Sequence, residues 1–421
     1  MNRDPTLRIA VHDYGGYPFI VDLSRALASR GHIVSHLYAD GFRPPRGQMD
    51  LTAAGSSLAL QPVTLAEPIR RGGWRRVEQE RRYARLLSAQ IADLRPDVVI
   101  SANSPLEVQA AVAAAAERTG AAFVFWLQDL HSVAISRVLG RRSRIFGRLI
   151  GWRFERLEKR LLRQADATVV ISQDFLPVLR RWDVPVEGVD VIENWAPIDE
   201  DDHSAGSARW AAEHGLSRPI LLYAGTLAFK HNPALLVELA RGLPSACVAV
   251  VAEGPGTEWL RAHGSGVHNL RVIPLQPIER VPDMLAAADL LVAVLEPDAS
   301  SFSAPSKVLT YLSAGRAILG AMPASNAAAR VVADASAGRI VDPNDVEGLI
   351  SAARALLSDP VALARAGAAG RAYAIRTFDI ERIADRFEAV AYRAVDRKSH
   401  SRSARGADTG NAIDTSHEAG P

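Results

Sequence analysis

Short apolar runs alternate with longer helix-type stretches along the whole chain, and this alternation limits the folds open to it. The runs are 7–11, 33–38, 97–101, 122–127, 167–171 and 189–192, then 220–224, 248–252, 270–273, 290–295, 317–320 and 338–341. Several, such as Ala122-Phe123-Val124-Phe125-Trp126-Leu127, are apolar at consecutive positions. A strand reads this way when both faces are covered, as in a parallel sheet. Helical segments between such strands imply β-α-β units with right-handed crossovers. A joint, Asn194-Trp195-Ala196-Pro197 followed by an acidic run, divides the strands into two sets of six. The expected fold is α/β: two doubly wound Rossmann-like domains facing across a cleft and hinged near 196–206. Residues 1–197 form the first and 207–378 the second. The helix 379–395 carries an apolar stripe, and the polar stretch 398–421 is expected to be a disordered tail.

At 421 residues and 48% hydrophobic content the chain can fill two cores. Cys247 is the one cysteine, which excludes disulfide staples and a Cys₄ zinc site. The opening residues reach a polar turn after one short apolar run, so no secretory leader is expected. The most apolar long window, 108–127, contains Glu117 and Arg118, which argues against a spanning helix. The expected location is cytoplasmic.

Open parallel sheets bind ligands beyond the carboxyl ends of their strands, so the loops there are the place to search. The first is His12-Asp13-Tyr14-Gly15-Gly16-Tyr17-Pro18, opening the helix 19–30. Gly15 and Gly16 would let backbone N–H groups approach an anion at a helix start. This is not the G-x-G-x-x-G fingerprint, and the loop reads equally as an empty turn. The second is Tyr223-Ala224-Gly225-Thr226-Leu227-Ala228-Phe229-Lys230, before the helix 233–241. Gly225 and Thr226 offer donors and Lys230 a positive charge, which are the parts a diphosphate needs. The third is Pro305-Ser306-Lys307-Val308-Leu309-Thr310-Tyr311, a short helix closed by Gly315. Ser306 and Lys307 sit on its first turn. Gly254, in Glu253-Gly254-Pro255-Gly256, and Gln276, in Pro274-Leu275-Gln276-Pro277, follow two further strands. Either segment reads as a binding turn or as an ordinary one.

These loops, in this order, resemble the retaining GT-B glycosyltransferases of family 4. More narrowly, they resemble the colanic-acid type of exopolysaccharide and capsule glycosyltransferases. The likeness runs to about residue 395 and is carried by His12–Phe19, Trp126–His131, Glu193–Ile198, Tyr223–Asn232, Glu253–Gly256 and Ala304–Gly315. It implies a nucleotide-diphosphate sugar as donor substrate, held by the second domain, with no cofactor and no required metal. It implies a saccharide or polyprenyl-diphosphate-linked acceptor held by the first, and a helix near 379–395 crossing back onto the first. By the resemblance, Lys230, Gly225 and Thr226 hold the diphosphate, and Ser306 and Lys307 the phosphates and sugar. Gly15 and Gly16 close over the diphosphate, Gly254 lies in the donor site, and Gln276 lies where the family contacts the base. Three departures stand out. Thr226 replaces a frequent Arg; Thr310 and Phe302 replace a frequent glutamate pair; Arg316-Ala317 replaces a proline-containing turn. Thr310 would then meet the ribose with one hydroxyl.

Retaining GT-B enzymes of the type the chain resembles have no obvious nucleophile, so the resemblance implies front-face attack with the leaving phosphate taking the acceptor proton. Lys230 and Lys307 would stabilise that phosphate. His131 or Asp129 would orient the acceptor hydroxyl or the donor sugar, unless His131 merely bonds to backbone. Between Arg137 and Arg163, ten basic residues face two acidic ones, with Phe146, Ile150, Phe154, Leu157 and Leu161 as the expected core stripe. A second basic cluster spans 70–85. Such a face suits peripheral docking on the anionic inner face of a plasma membrane, or else is solvated surface. No motif supports a nucleic-acid partner. Asp199-Glu200-Asp201 spells D-x-D but sits in the joint and reads as linker. A GT-B nucleotide-sugar 2-epimerase and a non-catalytic nucleotide-sugar-binding module are the alternative functions.

Overall fold

The computed structural model describes residues 5–40, 57–65, 67, 74–133, 135–136, 144–198, 201, 203–297 and 306–411, without the side chains of 74, 144–146 and 404–411. Asp199, Glu200, Phe302, Pro305, Arg70, Arg137, Arg141 and Arg142 lie outside the described residues. The chain forms two compact units, Met1–Glu193 with Ile380–Pro421, and Asn194–Asp379.

The first unit has a seven-stranded sheet. Its strands are β1 (Arg8–Asp13), β2 (Ile33–Ala39), β3 (Leu58–Val63), β4 (Val98–Ala102), β5 (Ala122–Leu127), β6 (Ala167–Val170) and β7 (Val189–Val191). Their order is β3-β2-β1-β4-β5-β6-β7, and every pairing is parallel. The second unit has six: β8 (Ile220–Thr226), β9 (Cys247–Glu253), β10 (Leu270–Ile273), β11 (Leu290–Val294), β12 (Ala317–Ala321) and β13 (Gly338–Val341). Their order is β10-β9-β8-β11-β12-β13, again all parallel. The consecutive apolar runs are the central strands: β4, β5, β11 and β12 are buried at every residue. Each sheet reverses its winding beside its first strand, between β1 and β4 and between β8 and β11. Crevices form at such switch points.

β3 was absent from the sequence reading. Leu58-Ala59-Leu60-Gln61-Pro62-Val63 is interrupted by a polar residue and by a proline that cannot donate to a ladder. β3 lies at the sheet edge, where proline is tolerated.

Two further expectations are corrected. The C-terminal helix spans Ile380–Asn411, so the polar stretch from Lys398 to Asn411 is helix, not disordered tail. Ile383, Ala384, Phe387 and Val390 are buried, with the Phe387 ring 4.6 Å from that of Trp126. Arg30 binds Glu381, Asp385 and Glu388 on the same helix. A helix anchored this way extends cheaply, and Lys398 ion-pairs with Glu117 and, at 3.7 Å, with Asp166. On the basic helix Arg144–Gln164, Phe154, Leu157 and Leu161 join the core. Ile150 is instead exposed, with Leu149 and Trp152. Upstream of Phe154 the helix packs through Gly147 and Gly151, and a Cβ at Gly151 would overlap Ser136. Leu149, Ile150 and Trp152 turn outward there.

Under the switch point of the first unit, His12 is fully buried. Its Nδ1 is 2.8 Å from Ser101 Oγ and its Nε2 3.0 Å from Tyr83 OH. Burial, then the charge of His36, pushes its pKa down to about 3. The folded state therefore keeps His12 neutral while the unfolded chain takes up a proton below about 6.5. Stability should be complete above that pH and fall as pH drops toward 3. The slope from this residue is about 1.4 kcal/mol per pH unit. Urea unfolding between pH 7 and 4.5 checks this: the curve of His12→Gln should be shallower than wild type by about that slope. Parallel curves would remove His12 from the acid response.

Candidate functional site

In the second unit the site grows from the parting of β8 and β11. These strands pair at Leu221–Leu290 and Leu222–Leu291. Beyond that pairing the Tyr311 hydroxyl enters the gap. It accepts from Ala224 N at 2.9 Å and has Val292 O at 3.3 Å as acceptor. Tyr311 lies on the helix Lys307–Ser313 and is 1% exposed. Residues four apart share a helix face, so burying Tyr311 brings Lys307 over the end of β8. Lys307 Nζ lies 3.4 Å from the centroid of the Tyr223 ring. The residue is half-buried, but its Nζ is closed off from solvent and has no hydrogen-bond acceptor among the described residues.

Gly225 completes this corner. Its φ is +110°, a conformation that favours glycine, and a Cβ on it would stand 4.0 Å from Lys307 Nζ. Lys230 follows on the turn Phe229–His231, exposed, with its carbonyl bonded to Glu296 N at 2.8 Å. The sequence reading missed the rivet of this turn. His231 is buried, accepts from Ala228 N at 3.2 Å and hydrogen-bonds to the backbone of Thr226. Burial and the two lysines push its pKa down to about 3, so it stays neutral. Burial, then the charge of Lys230, also holds the Lys307 ammonium well below the usual lysine range. Gly225, Lys230 and Lys307 are thus brought together, with exposed Thr226 and Ser306 beside them in sequence and half-buried Thr310 on the next turn.

Gly254 and Gln276 are placed differently. Gly254, at φ +118°, packs on Leu227, whose carbonyl a Cβ would meet at 2.8 Å. Leu227 N donates to Glu253 O at 2.8 Å, and Gly256 N to Leu227 O at 2.9 Å. Close backbone approach already explains this glycine. The Gln276 side chain accepts from Trp210 Nε1 at 3.1 Å and donates to Pro274 O at 3.0 Å. Its amide is committed at both ends, so its backbone is what remains for a ligand.

In the first unit the expected donors of Gly15 and Gly16 are already used. The buried Asp13 carboxylate accepts from Gly15 N at 3.0 Å and from Tyr17 N, and its carbonyl accepts from Gly16 N at 3.3 Å. The open anion cradle read from the sequence is corrected here: a carboxylate at the end of β1 satisfies the turn from within. Beyond β5, Asp129 is exposed; burial, then the charges of Asp13 and Asp129, raise the pKa of Tyr17. His131 is half-buried, its Nδ1 enclosed without a partner among the described residues. Burial lowers its pKa.

The sequence reading also missed Glu158, the buried carboxylate under this loop. It accepts from His131 N and Ser132 N, both at 3.0 Å, and from Ser132 Oγ at 2.5 Å. Burial is the main cause that pushes it up to about 7. On a helix rich in arginine, Glu158 looked like one more solvated charge. Its burial, one turn before Leu161 and Leu162, was the signal.

Residues 15–195 match the Glycosyl transferase 4-like domain, and residues 218–359 match Glycosyl transferases group 1. The chain carries these two glycosyltransferase domains in tandem on a GT-B fold. Among curated proteins it is similar to the GDP-mannose-dependent alpha-(1-6)-phosphatidylinositol monomannoside mannosyltransferase of Mycolicibacterium smegmatis. They are 27% identical over 177 residues, 40% of this chain and 46% of that one, so the match spans about half of the relative. Among solved structures it resembles HepE of Anabaena in complex with UDP-glucose (14% identity, TM-score 0.68). It also resembles the sucrose-phosphate synthase of Thermosynechococcus elongatus (17% identity, TM-score 0.69). Each alignment covers 91% of this chain and 98% of the other. At these identities the likeness carries the fold.

An anion at Lys307 Nζ would reverse the causes that depress its pKa. Binding inorganic pyrophosphate should therefore draw a proton onto Lys307, and affinity should fall as pH rises. Calorimetry in buffers of different ionisation enthalpy measures this. The uptake should vanish in Lys307→Met; heats independent of buffer in the wild-type chain would show that Lys307 is not the acceptor of that proton.

Proposed function

We propose that the chain transfers a sugar from a nucleotide-diphosphate sugar to an acceptor, with retention and without a required metal. The observation that carries this reading is Lys307. A lysine closed off from solvent, without an acceptor among the described residues and repelled by Lys230, is well placed to meet a bound diphosphate. The two lysines meet the phosphates and stabilise the charge left there as the glycosidic bond breaks. Ser306 and Thr226 donate to phosphate or sugar, Thr310 meets the ribose, and the Gln276 backbone meets the base. Asp129 and His131 orient the acceptor hydroxyl, with Glu158 fixing the turn that carries His131. The leaving phosphate takes the acceptor proton on the same face of the sugar. HepE, with its UDP-glucose, lends support to such a donor.

The acceptor is lipid-linked or a growing surface polysaccharide, of the exopolysaccharide or capsule type. Among the described residues no helix is long and apolar enough to cross a membrane. The supporting observation is the exposed trio Leu149, Ile150 and Trp152 among Arg148, Arg153 and Arg156, with the Arg156 guanidinium 4.6 Å from the Trp152 ring. Apolar side chains in a basic helix face suit the interface of an anionic bilayer.

Two outcomes follow. With a panel of nucleotide sugars, Lys230→Ala should lose about 2–4 kcal/mol of transition-state stabilisation in kcat/KM. EDTA should leave the wild-type rate unchanged. Donor isomerisation without transfer would favour an epimerase, and binding without turnover a non-catalytic module. Separately, vesicles containing phosphatidylglycerol should sediment the chain in a salt-sensitive way, and Leu149→Ser/Trp152→Ser should weaken this. Equal sedimentation with neutral vesicles would leave the helix face merely solvated.

A further inference from the structure

A cavity of about 780 Å³ lies entirely within the first unit. It sits at the amino ends of β5 and β6, where Asp166 holds Phe123 N at 2.9 Å, away from the loops described above. Its apolar lining includes Ala110, Ala113, Ala114 and Phe123. Its walls come from the helices Leu106–Thr119, Arg144–Gln164 and Ile380–Asn411.

The charges on those walls do not balance. Six cations line the cavity: Arg118, Arg160, Arg163, Arg397, Lys398 and Arg402. Two carboxylates, Glu117 and Asp166, face them, and both pair with Lys398. Arg163 donates to Trp182 O at 2.7 Å, and Arg402 reaches Gly120 O at 3.5 Å; these neutral carbonyls leave the charges uncompensated. Arg118, Arg160 and Arg397 have no hydrogen-bond or ion-pair partner among the described residues. Three free guanidinium groups around one concavity repel one another, and the group that relieves them is a multiply charged anion. Guanidinium forks fit phosphate oxygens in pairs. The volume is that of a small-molecule site, and the alanine and phenylalanine surface would take the body of an organic phosphate.

We propose that this cavity is a binding site for a phosphate-bearing ligand with at least two negative charges, separate from the donor lysines. Arg118, Arg160 and Arg397 hold the phosphate oxygens, and Lys398, locked by its two carboxylates, keeps the C-terminal helix in place as a wall. The same chemistry is offered by a soluble organic phosphate and by an anionic lipid headgroup.

Two arms separate these sources. In the first, inorganic pyrophosphate is titrated by calorimetry into a Lys230→Ala/Lys307→Ala chain, whose donor lysines are gone. Saturable binding is expected, weakened about tenfold or more when Arg118→Ala and Arg397→Ala are added. In the second, the wild-type chain and Arg118→Ala/Arg397→Ala are sedimented with vesicles of phosphatidylcholine and phosphatidylglycerol. A loss in the calorimetric arm supports a soluble ligand, and a loss confined to the vesicle arm supports a headgroup. Unchanged behaviour in both arms overturns the site. Both arginines are exposed, and thermal melting verifies the fold. If the alanine pair melts early, Arg118→Gln/Arg397→Gln is read by the same criteria.

Discussion

Where β8 and β11 part beyond Leu222 and Leu291, the sheet of the second unit has unpaired backbone groups in its buried middle. Tyr311 answers them with one hydroxyl between Ala224 and Val292. Its burial orients the helix Lys307–Ser313, and that orientation delivers Lys307 to the corner made by Gly225 and the Tyr223 ring. The site is therefore a consequence of how a parallel sheet is split. A crevice at a switch point is a general property of doubly wound sheets. The chemistry comes from the side chain placed there, because among the described residues the Lys307 Nζ has no acceptor.

Several ionisable groups are kept away from their usual state in the same economy of buried space. Lys307 loses stabilisation of its ammonium, His231 and His12 stay neutral, and Glu158 is pushed up to about 7. Burial is the first cause in each. These groups differ in what they are bonded to. His12 and His231 have their ring nitrogens engaged within the fold, and so act as rivets. Glu158 gathers three donors around the turn carrying His131 and acts as its anchor. Lys307 has no such bond among the described residues, which sets it apart from the groups that complete the structure.

The first unit distributes its charge differently. At the carboxyl ends of its strands, Asp13 consumes the donors of the glycine turn. At the amino ends of β5 and β6, positive charge accumulates, with Arg118, Arg160 and Arg397 unpaired among the described residues. Between them the helix Arg144–Gln164 is apolar toward the core from Phe154 onward and both basic and apolar toward solvent before it. One helix thus supplies the buried Glu158, the exposed Trp152 and the cavity-lining Arg160. Its 3.6-residue period sends each to a different side.

The strands whose burial is two-sided are legible in the order of residues alone, because Ala122–Leu127 and Leu290–Val294 state their surroundings residue by residue. So are the helix starts at prolines and the loops at strand ends, since propensity and turn chemistry are local. β3 was lost because an edge strand needs no such pattern. The helical stretch past Val395 was lost because its partners, Glu117 and Asp166, are far away in sequence. Which polar groups face one another follows from long-range packing. Asp13 occupied the glycine turn, Trp210 occupied Gln276, and Gly147 and Gly151 turned Ile150 outward. The same holds for Lys307. A lysine at a helix start is solvated by default, and its isolation from water depends on Tyr223, Gly225 and Tyr311, which only the closing of the sheet brings to it.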